Sequence, residues 1–339
     1  MQSRSYNPEI PLNGEEVYPL GGAETIMRIP DHLLKSVGFV SRYDPVEGGG
    51  AKIEFGGTAF IVGVRVDEHV GLAHLVTAKH VAEAIEPGEA VIAMNAKDGE
   101  PLFLRTGDTP WFYHPTEKDS VDVAVIPFGS GRWLDYDITW IPEDIFATEK
   151  RISQFDIGLG DEIVVIGLFT RFFGASHLIP IVRTGNIAMM PKDKLPTRSF
   201  GRMEAYLAEG RSIGGLSGSP VFVRNTMNLP VKTPSGIDKM SGLGSLHLLG
   251  LMHGHWDVPA SFSSMEQAEA VNMGVSIVTP ARKILEVLYH PELVAMRKEH
   301  YEKQTESTLP TTDSAIKPFT KEEFEAALNK ASRKIPKQD

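Results

Sequence analysis

The chain has 339 residues, enough at about 150 residues per domain for two domains and an appendage. Hydrophobic residues make up 42%, which supplies sizeable cores, and a formal charge of −10 argues against the broad basic surface that nucleic acid or an anionic membrane requires. There is no cysteine, so a disulfide scaffold, a thiol nucleophile and a zinc site built on sulfur are excluded.

Residues 1–32 mix Pro, Gly and Glu without periodicity and read as an irregular N-terminal arm. Its start, MQSRSYNPEIPLNGEE, has no apolar run to form a signal-peptide core, and stretches such as Ile163–Phe169 are too short to cross a bilayer. The expectation is a cytoplasmic protein with no membrane and no nucleic-acid partner. The 32 Gly and 23 Pro favour short strands and many turns over long helices. A first group of β-rich runs comprises Lys35–Arg42, Lys52–Arg65, Leu72–Thr77, Glu89–Asn95, Pro101–Thr106 and Val121–Pro127, which defines a first β-barrel over residues 33–130. A connector follows over 131–160. The second group, over 161–279, comprises Glu162–Phe169, Leu178–Ala188, Arg202–Leu207, Ser219–Arg224, His247–His253 and Gly274–Val278. About six strands in each half predict an all-β fold of two packed six-stranded antiparallel barrels. One large sandwich is the alternative that periodicity leaves open.

Residues 280–304 read as a C-terminal helix with Ile284, Leu285, Leu288 and Val294 on one stripe. In the final segment, 305–339, Thr305–Pro318 is a polar linker and Thr320-Lys321-Glu322-Glu323 fits a capping box that opens a short helix to about Lys334. Its apolar face of Phe324, Ala327, Leu328 and Ala331 is expected to dock on the body, on another subunit or on a partner.

Three local patterns carry chemistry. Thr77-Ala78-Lys79-His80-Val81 follows an apolar strand, Asp122-Val123-Ala124-Val125-Ile126 puts an acid at the head of a buried strand, and Gly215-Leu216-Ser217-Gly218-Ser219-Pro220 precedes Val221-Phe222-Val223. Taken singly, each has a bland reading: a strand-end histidine, a turn acid, a tight Gly/Ser loop. Together they supply nucleophilic acyl transfer. A serine hydroxyl is a weak nucleophile until a base removes its proton, and an imidazole near neutral pKa can take that proton and return it to the leaving group. A carboxylate fixes the imidazole tautomer, while glycines allow a strained turn that aims backbone N–H groups at the developing oxyanion. Asp119 competes with Asp122, but only Asp122 leads into an apolar strand; Ser219 competes with Ser217, but the glycine spacing favours Ser217.

At these residues the chain resembles the trypsin-like (chymotrypsin-fold) serine peptidases. TAKHV is similar to their histidine motif, DVAV to the aspartate motif and GLSGSP to the serine motif, in that family's order of His, Asp and Ser. Gly57–Val62 resembles the strand before the histidine, Gly160–Gly167 the opening of the second barrel in HtrA-like members, Leu249–Gly254 the substrate-binding strand and Gly274–Ile277 the entry to the C-terminal helix. The resemblance implies a serine endopeptidase with His80, Asp122 and Ser217 as the triad, and with the N–H groups of Gly215 and Ser217 as the oxyanion hole. It implies a peptide or protein substrate, with no cofactor and no metal. Leu216 stands where the animal digestive enzymes carry Asp, and no Arg-Ile-Val-Gly-Gly activation site is present, so the likeness is to cysteine-free bacterial-type members.

Strict alternation along one strand puts His247, His253 and His255 on the same side. Too few further ligands accompany them for zinc, so lining of the substrate pocket is the expectation, with Gly254 keeping the site open. Arg211 sits where the family places its pocket-base residue. With His253 or His255 it would form a cationic pocket for an acidic side chain before the scissile bond; the alternative points Arg211 to solvent. The Ser219 of GLSGSP also resembles the motif of bacterial glutamyl endopeptidases. The competing class is a catalytically silent domain of the same fold that acts as a binding or regulatory module.

Overall fold

The β-branched and aromatic runs become strands that collect into two β-units. In the first unit hydrogen bonding passes through Pro101–Arg105, Glu89–Asn95, Val37–Pro45, Ala51–Arg65, Val70–Thr77, Ala124–Pro127 and Phe112–Tyr113 in that spatial order. Two short strands join off this path: Ile10–Pro11 pairs antiparallel with Val70 and Gly71, and Ile141–Pro142 pairs parallel with Val62 and Gly63. In the second unit Glu162–Gly167, Ile181–Met189, Tyr206–Glu209, Asn272–Pro280, Leu246–Asp257 and Pro220–Arg224 close into an antiparallel barrel. The all-β architecture with C-terminal helices is as expected, and the second unit closes into the expected six-stranded barrel, which sets the single sandwich aside. The first unit differs in detail, with nine hydrogen-bonded strands where six were expected.

The computed structural model describes residues 10–11, 28–45, 51–67, 70–86, 89–107, 109–128, 135–169, 177–197, 200–210, 215–224, 230–231, 239–240, 245–257 and 272–308. Met1–His300 form one unit and Tyr301–Asp339 another. The expected capped helix from Thr320 to Lys334 lies outside the described residues. So does most of the N-terminal arm, although Ile10–Pro11 is a strand rather than irregular chain.

One apolar core joins the two β-units. Phe60, Ile61, Leu75 and Ile126 of the first pack in one cluster with Phe222, Leu248 and Leu251 of the second and with Ile284, Val287 and Leu288 of the helix Ala281–Leu288. A second cluster fills the closed barrel with Ile163, Val165, Tyr206, Leu216, Val221, Leu249 and Met252. The single helix expected over 280–304 is two helices, Ala281–Leu288 and Pro291–Thr308. Tyr289 leaves the helical region at φ −96° and ψ 21°, and Pro291, lacking an N–H, starts the second helix. Val294 is consequently 39% exposed and not part of the apolar stripe. Among the described residues no helix is long and apolar enough to cross a membrane.

Candidate active site

Strand pairing brings the histidine and the acid together. Thr77, the last residue of Val70–Thr77, lies opposite Ala124, the first of Ala124–Pro127. His80, three residues after Thr77, and Asp122, two before Ala124, therefore leave the sheet at the same end. His80 sits in the first turn of the helix Lys79–Ile85, whose early N–H groups have no partner within the helix. Asp122 Oδ1 accepts the His80 backbone N–H at 3.0 Å, and Asp122 Oδ2 lies 2.8 Å from His80 Nδ1. One carboxylate thus caps the helix and orients the ring.

Asp122 is fully buried, whereas the His80 side chain is 37% exposed. Burial works to raise the Asp122 pKa, but the hydrogen bonds from His253 and His80 outweigh it and hold the acid well below the usual carboxylate range. An ionised carboxylate only accepts hydrogen bonds, so His80 Nδ1 carries the proton and Nε2 is left bare. Burial works to lower the His80 pKa, but the hydrogen bond and charge of Asp122, with the charge of Glu83, raise it above its ordinary value. The ring therefore binds a proton more firmly than a free imidazole, which suits a base that must hold a transferred proton.

The serine turn enters from the second unit. Gly215 and Gly218 have φ of +97° and +83°, a left-handed backbone that L side chains rarely adopt. At Gly218 a Cβ would also stand 2.1 Å from the Thr58 carbonyl oxygen and 2.4 Å from Thr77 Oγ1. Backbone bonds fix the turn on the second barrel: Ser219 N–H donates to Leu216 O at 3.0 Å, Gly218 N–H to Met252 O at 2.8 Å and Met252 N–H to Ser219 O at 2.8 Å. Leu216 is buried in the core of that barrel, so an apolar anchor stands next to Ser217 in the turn. The Ser217 hydroxyl donates to the His253 carbonyl at 3.2 Å.

Thr58 ties the turn to the first unit. Its N–H donates to Ser217 O at 2.9 Å, its hydroxyl donates to Gly215 O at 2.8 Å, and the same oxygen accepts from Leu168 N–H at 2.8 Å. The sequence predicts the strand but not this contact. Its signal was a hydroxyl within an apolar strand, where a buried polar group needs partners.

The three histidines do not share a side. The strand Leu246–Asp257 shifts register against Pro220–Arg224 between the partners of Val221 and Phe222, and against Asn272–Pro280 between Met252 and Gly254. His253 is the extra residue of that second bulge, and a bulge re-aims its side chain. Its ring, expected on the pocket wall, turns instead onto Asp122, with Nδ1 at 2.5 Å from Oδ2. It also meets the His80 ring edge-on at 5.5 Å and 77°, and the Phe200 ring at 5.3 Å and 85°. His247 is buried beside Phe155 and Arg151; burial first, and the Arg151 charge second, lower its pKa to about 4. His255 is exposed, and nothing lies within 4 Å of where a Gly254 Cβ would stand. Arg211 lies outside the described residues.

Two groups of metal-ligand type occur among the described residues: His80, Asp122 and His253; and His114, Glu117 and Glu286. Tetrahedral zinc with bonds of about 2.0–2.1 Å needs donor atoms roughly 3.3 Å apart. The first group, with Nδ1···Oδ2 separations of 2.8 and 2.5 Å, is spaced for shared protons. In the second, the Lys283 ammonium already donates to Glu117 and, at 2.8 Å, to Glu286. The spacing of one group and the filled centre of the other disfavour a metal at either.

No family model matches this chain, and no curated protein does. Solved structures similar to it include the HtrA-type protease AlgW with a decapeptide, at 13% identity and a TM-score of 0.46, the match covering 76% of this chain and 65% of AlgW. Deg5 is 14% identical with a TM-score of 0.41, covering 75% of this chain and 88% of that one. The MamO protease domain from Magnetospirillum magneticum, in its apo form, is 13% identical with a TM-score of 0.42, covering 75% and 96%.

Proposed function

We propose that this chain is a serine endopeptidase. Ser217 Oγ attacks the scissile carbonyl while its proton passes to His80 Nε2; the C–N bond then breaks as His80 returns the proton to the leaving amine, and water hydrolyses the acyl-enzyme by the same relay. Asp122 holds the imidazole in the tautomer that leaves Nε2 bare. The backbone N–H groups of Gly215 and Ser217 serve the oxyanion. The observation that carries the reading is the two-point grip of buried Asp122 on His80, through Oδ1 to the backbone N–H and Oδ2 to Nδ1. A structural ion pair has no need of a ring left 37% exposed to solvent.

Acidic preference before the scissile bond is part of the proposal on His255 and Arg211, since His253 is committed to Asp122. Ser217 Oγ rests on the His253 carbonyl, and this observation favours a second reading, a binding module that does not turn over. Catalytic hydrogen bonds are often loose before substrate arrives, so the resting contact does not decide between the two. Digestion of a peptide library by wild type beside Ser217→Ala separates them. Cleavage by wild type alone, enriched in Glu or Asp before the cut, supports the proposal; folded wild type that cleaves no sequence contradicts it.

A further inference from the structure

We infer that His253 is a positioning residue of the triad, a second imidazole that shares Asp122 with His80 and locks the acid from the opposite β-unit. The inference rests on the peptidase reading above. The Asp122 carboxylate is fully buried and accepts three hydrogen bonds: His80 N–H on Oδ1, and His80 Nδ1 and His253 Nδ1 on Oδ2. Because an ionised carboxylate is acceptor-only, both Nδ1 atoms carry protons. The main chain of the same residue takes the Ser217 hydroxyl. His253 therefore touches the acid with its ring and the nucleophile with its carbonyl, so its place in the bulge sets the spacing between the two. Phe200 stands edge-on to both imidazoles and confines them.

Sharing has an electrostatic consequence. The groups that face His80 are Asp122 from the loop before Ala124, Glu83 from its own helix and His253 from the second barrel. Lys79, on the same helix, is held by Glu83 and the Lys118 carbonyl. A hydrogen bond from His253 to Oδ2 delocalises carboxylate charge that would otherwise act on His80 alone. Removing that donor leaves the full charge to the His80 imidazolium, so His80 should become more basic while its rotamer becomes less defined.

The experiment uses the full chain and two readouts. In ¹⁵N-labelled wild type, NMR should show two downfield imidazole Nδ1 protons, one of which vanishes in His253→Leu; a single such proton in wild type overturns the inference without any variant. The rate of Ser217 modification by a fluorophosphonate, followed across pH, supplies the second readout. His253→Leu should slow it about tenfold or more and move the midpoint of the acid limb up by about half a unit. His253→Asn, whose side-chain amide can donate to Oδ2, should restore both, which a purely structural role does not require. A labelled wild type with an unmoved midpoint in His253→Leu overturns this inference alone. A wild type never labelled at any pH overturns the peptidase reading, and the positioning role with it.

Discussion

The Thr58 hydroxyl, on the Ala51–Arg65 strand, donates to the carbonyl of Gly215 in the serine turn at 2.8 Å, so a side chain of the first β-unit fixes a peptide plane of the second. Because Thr58 N–H also holds Ser217 O, this buried residue governs both ends of the Gly215-Leu216-Ser217 segment. Thr58→Val keeps the backbone bond and the shape but leaves Leu168 N–H and Gly215 O without the hydroxyl. We expect a loss of about 1–3 kcal/mol in stability, with a fall in kcat larger than any change in KM, and recovery of both in Thr58→Ser. Denaturant unfolding and steady-state kinetics check it.

Asp122→Asn preserves the volume but can no longer accept from both imidazoles as a charge. The expected cost is roughly 10³–10⁴ in kcat, the effect of a wrong tautomer in such a triad. The sign of the pH shift follows from the same group. Asp122 raises the His80 pKa, so the acid limb of wild-type kcat/KM should lie above the ordinary imidazole value of 6.5, and Asp122→Asn should lower it. A pH–rate profile of both proteins decides the point.

Two glycines should answer oppositely to the same substitution. Gly218→Ala meets the Thr58 carbonyl oxygen at 2.1 Å and demands a left-handed backbone, so it should lose more than about 3 kcal/mol or fail to fold. Gly254→Ala enters open space and should unfold at nearly the wild-type temperature, with its effect confined to substrate binding. Thermal denaturation of the two side by side tests the contrast.

Acid should weaken the fold before its carboxylates titrate. His74 is fully buried, with Nδ1–H on the Leu72 carbonyl at 3.0 Å and Nε2 accepting from Arg297 at 3.2 Å; burial first, and the Arg297 charge second, lower its pKa to about 3. His247 is lowered to about 4. Both are neutral in the native state and bind protons at about pH 6.5 once unfolded, so their contribution is complete above that value and is lost as pH falls below it. His80, with a raised pKa, acts in the opposite sense and stabilises most below pH 6.5. At pH 5 the loss from His247 is on the order of 2 kcal/mol, and His247→Leu should flatten the fall in unfolding free energy between pH 7 and pH 5.

What the sequence made legible follows from local rules. His80 and Asp122 could be read because each adjoins an apolar strand, and the pairing of Thr77 with Ala124 brings those strand ends together. The serine turn could be read because positive φ at Gly215 and Gly218 leaves glycine as the natural residue. His253 could not. Its direction depends on a bulge set by pairing with Asn272–Pro280, and alternation, which assumes an unbroken strand, sent it to the wrong side. The Thr58 contact spans the two β-units and has no local signature. Pro291 was a visible breaker, yet the apolar spacing across it suggested one helix where the missing N–H makes two.

Intact-mass analysis after treatment with a fluorophosphonate probe, with peptide mapping of the adduct, tests most directly whether Ser217 is the nucleophile. One adduct per chain is expected, on Ser217, formed rapidly in wild type and absent from Ser217→Ala, with His80→Ala at least about 10³-fold slower. Equal labelling of wild type and Ser217→Ala, or an adduct mapped to any other residue, would contradict it.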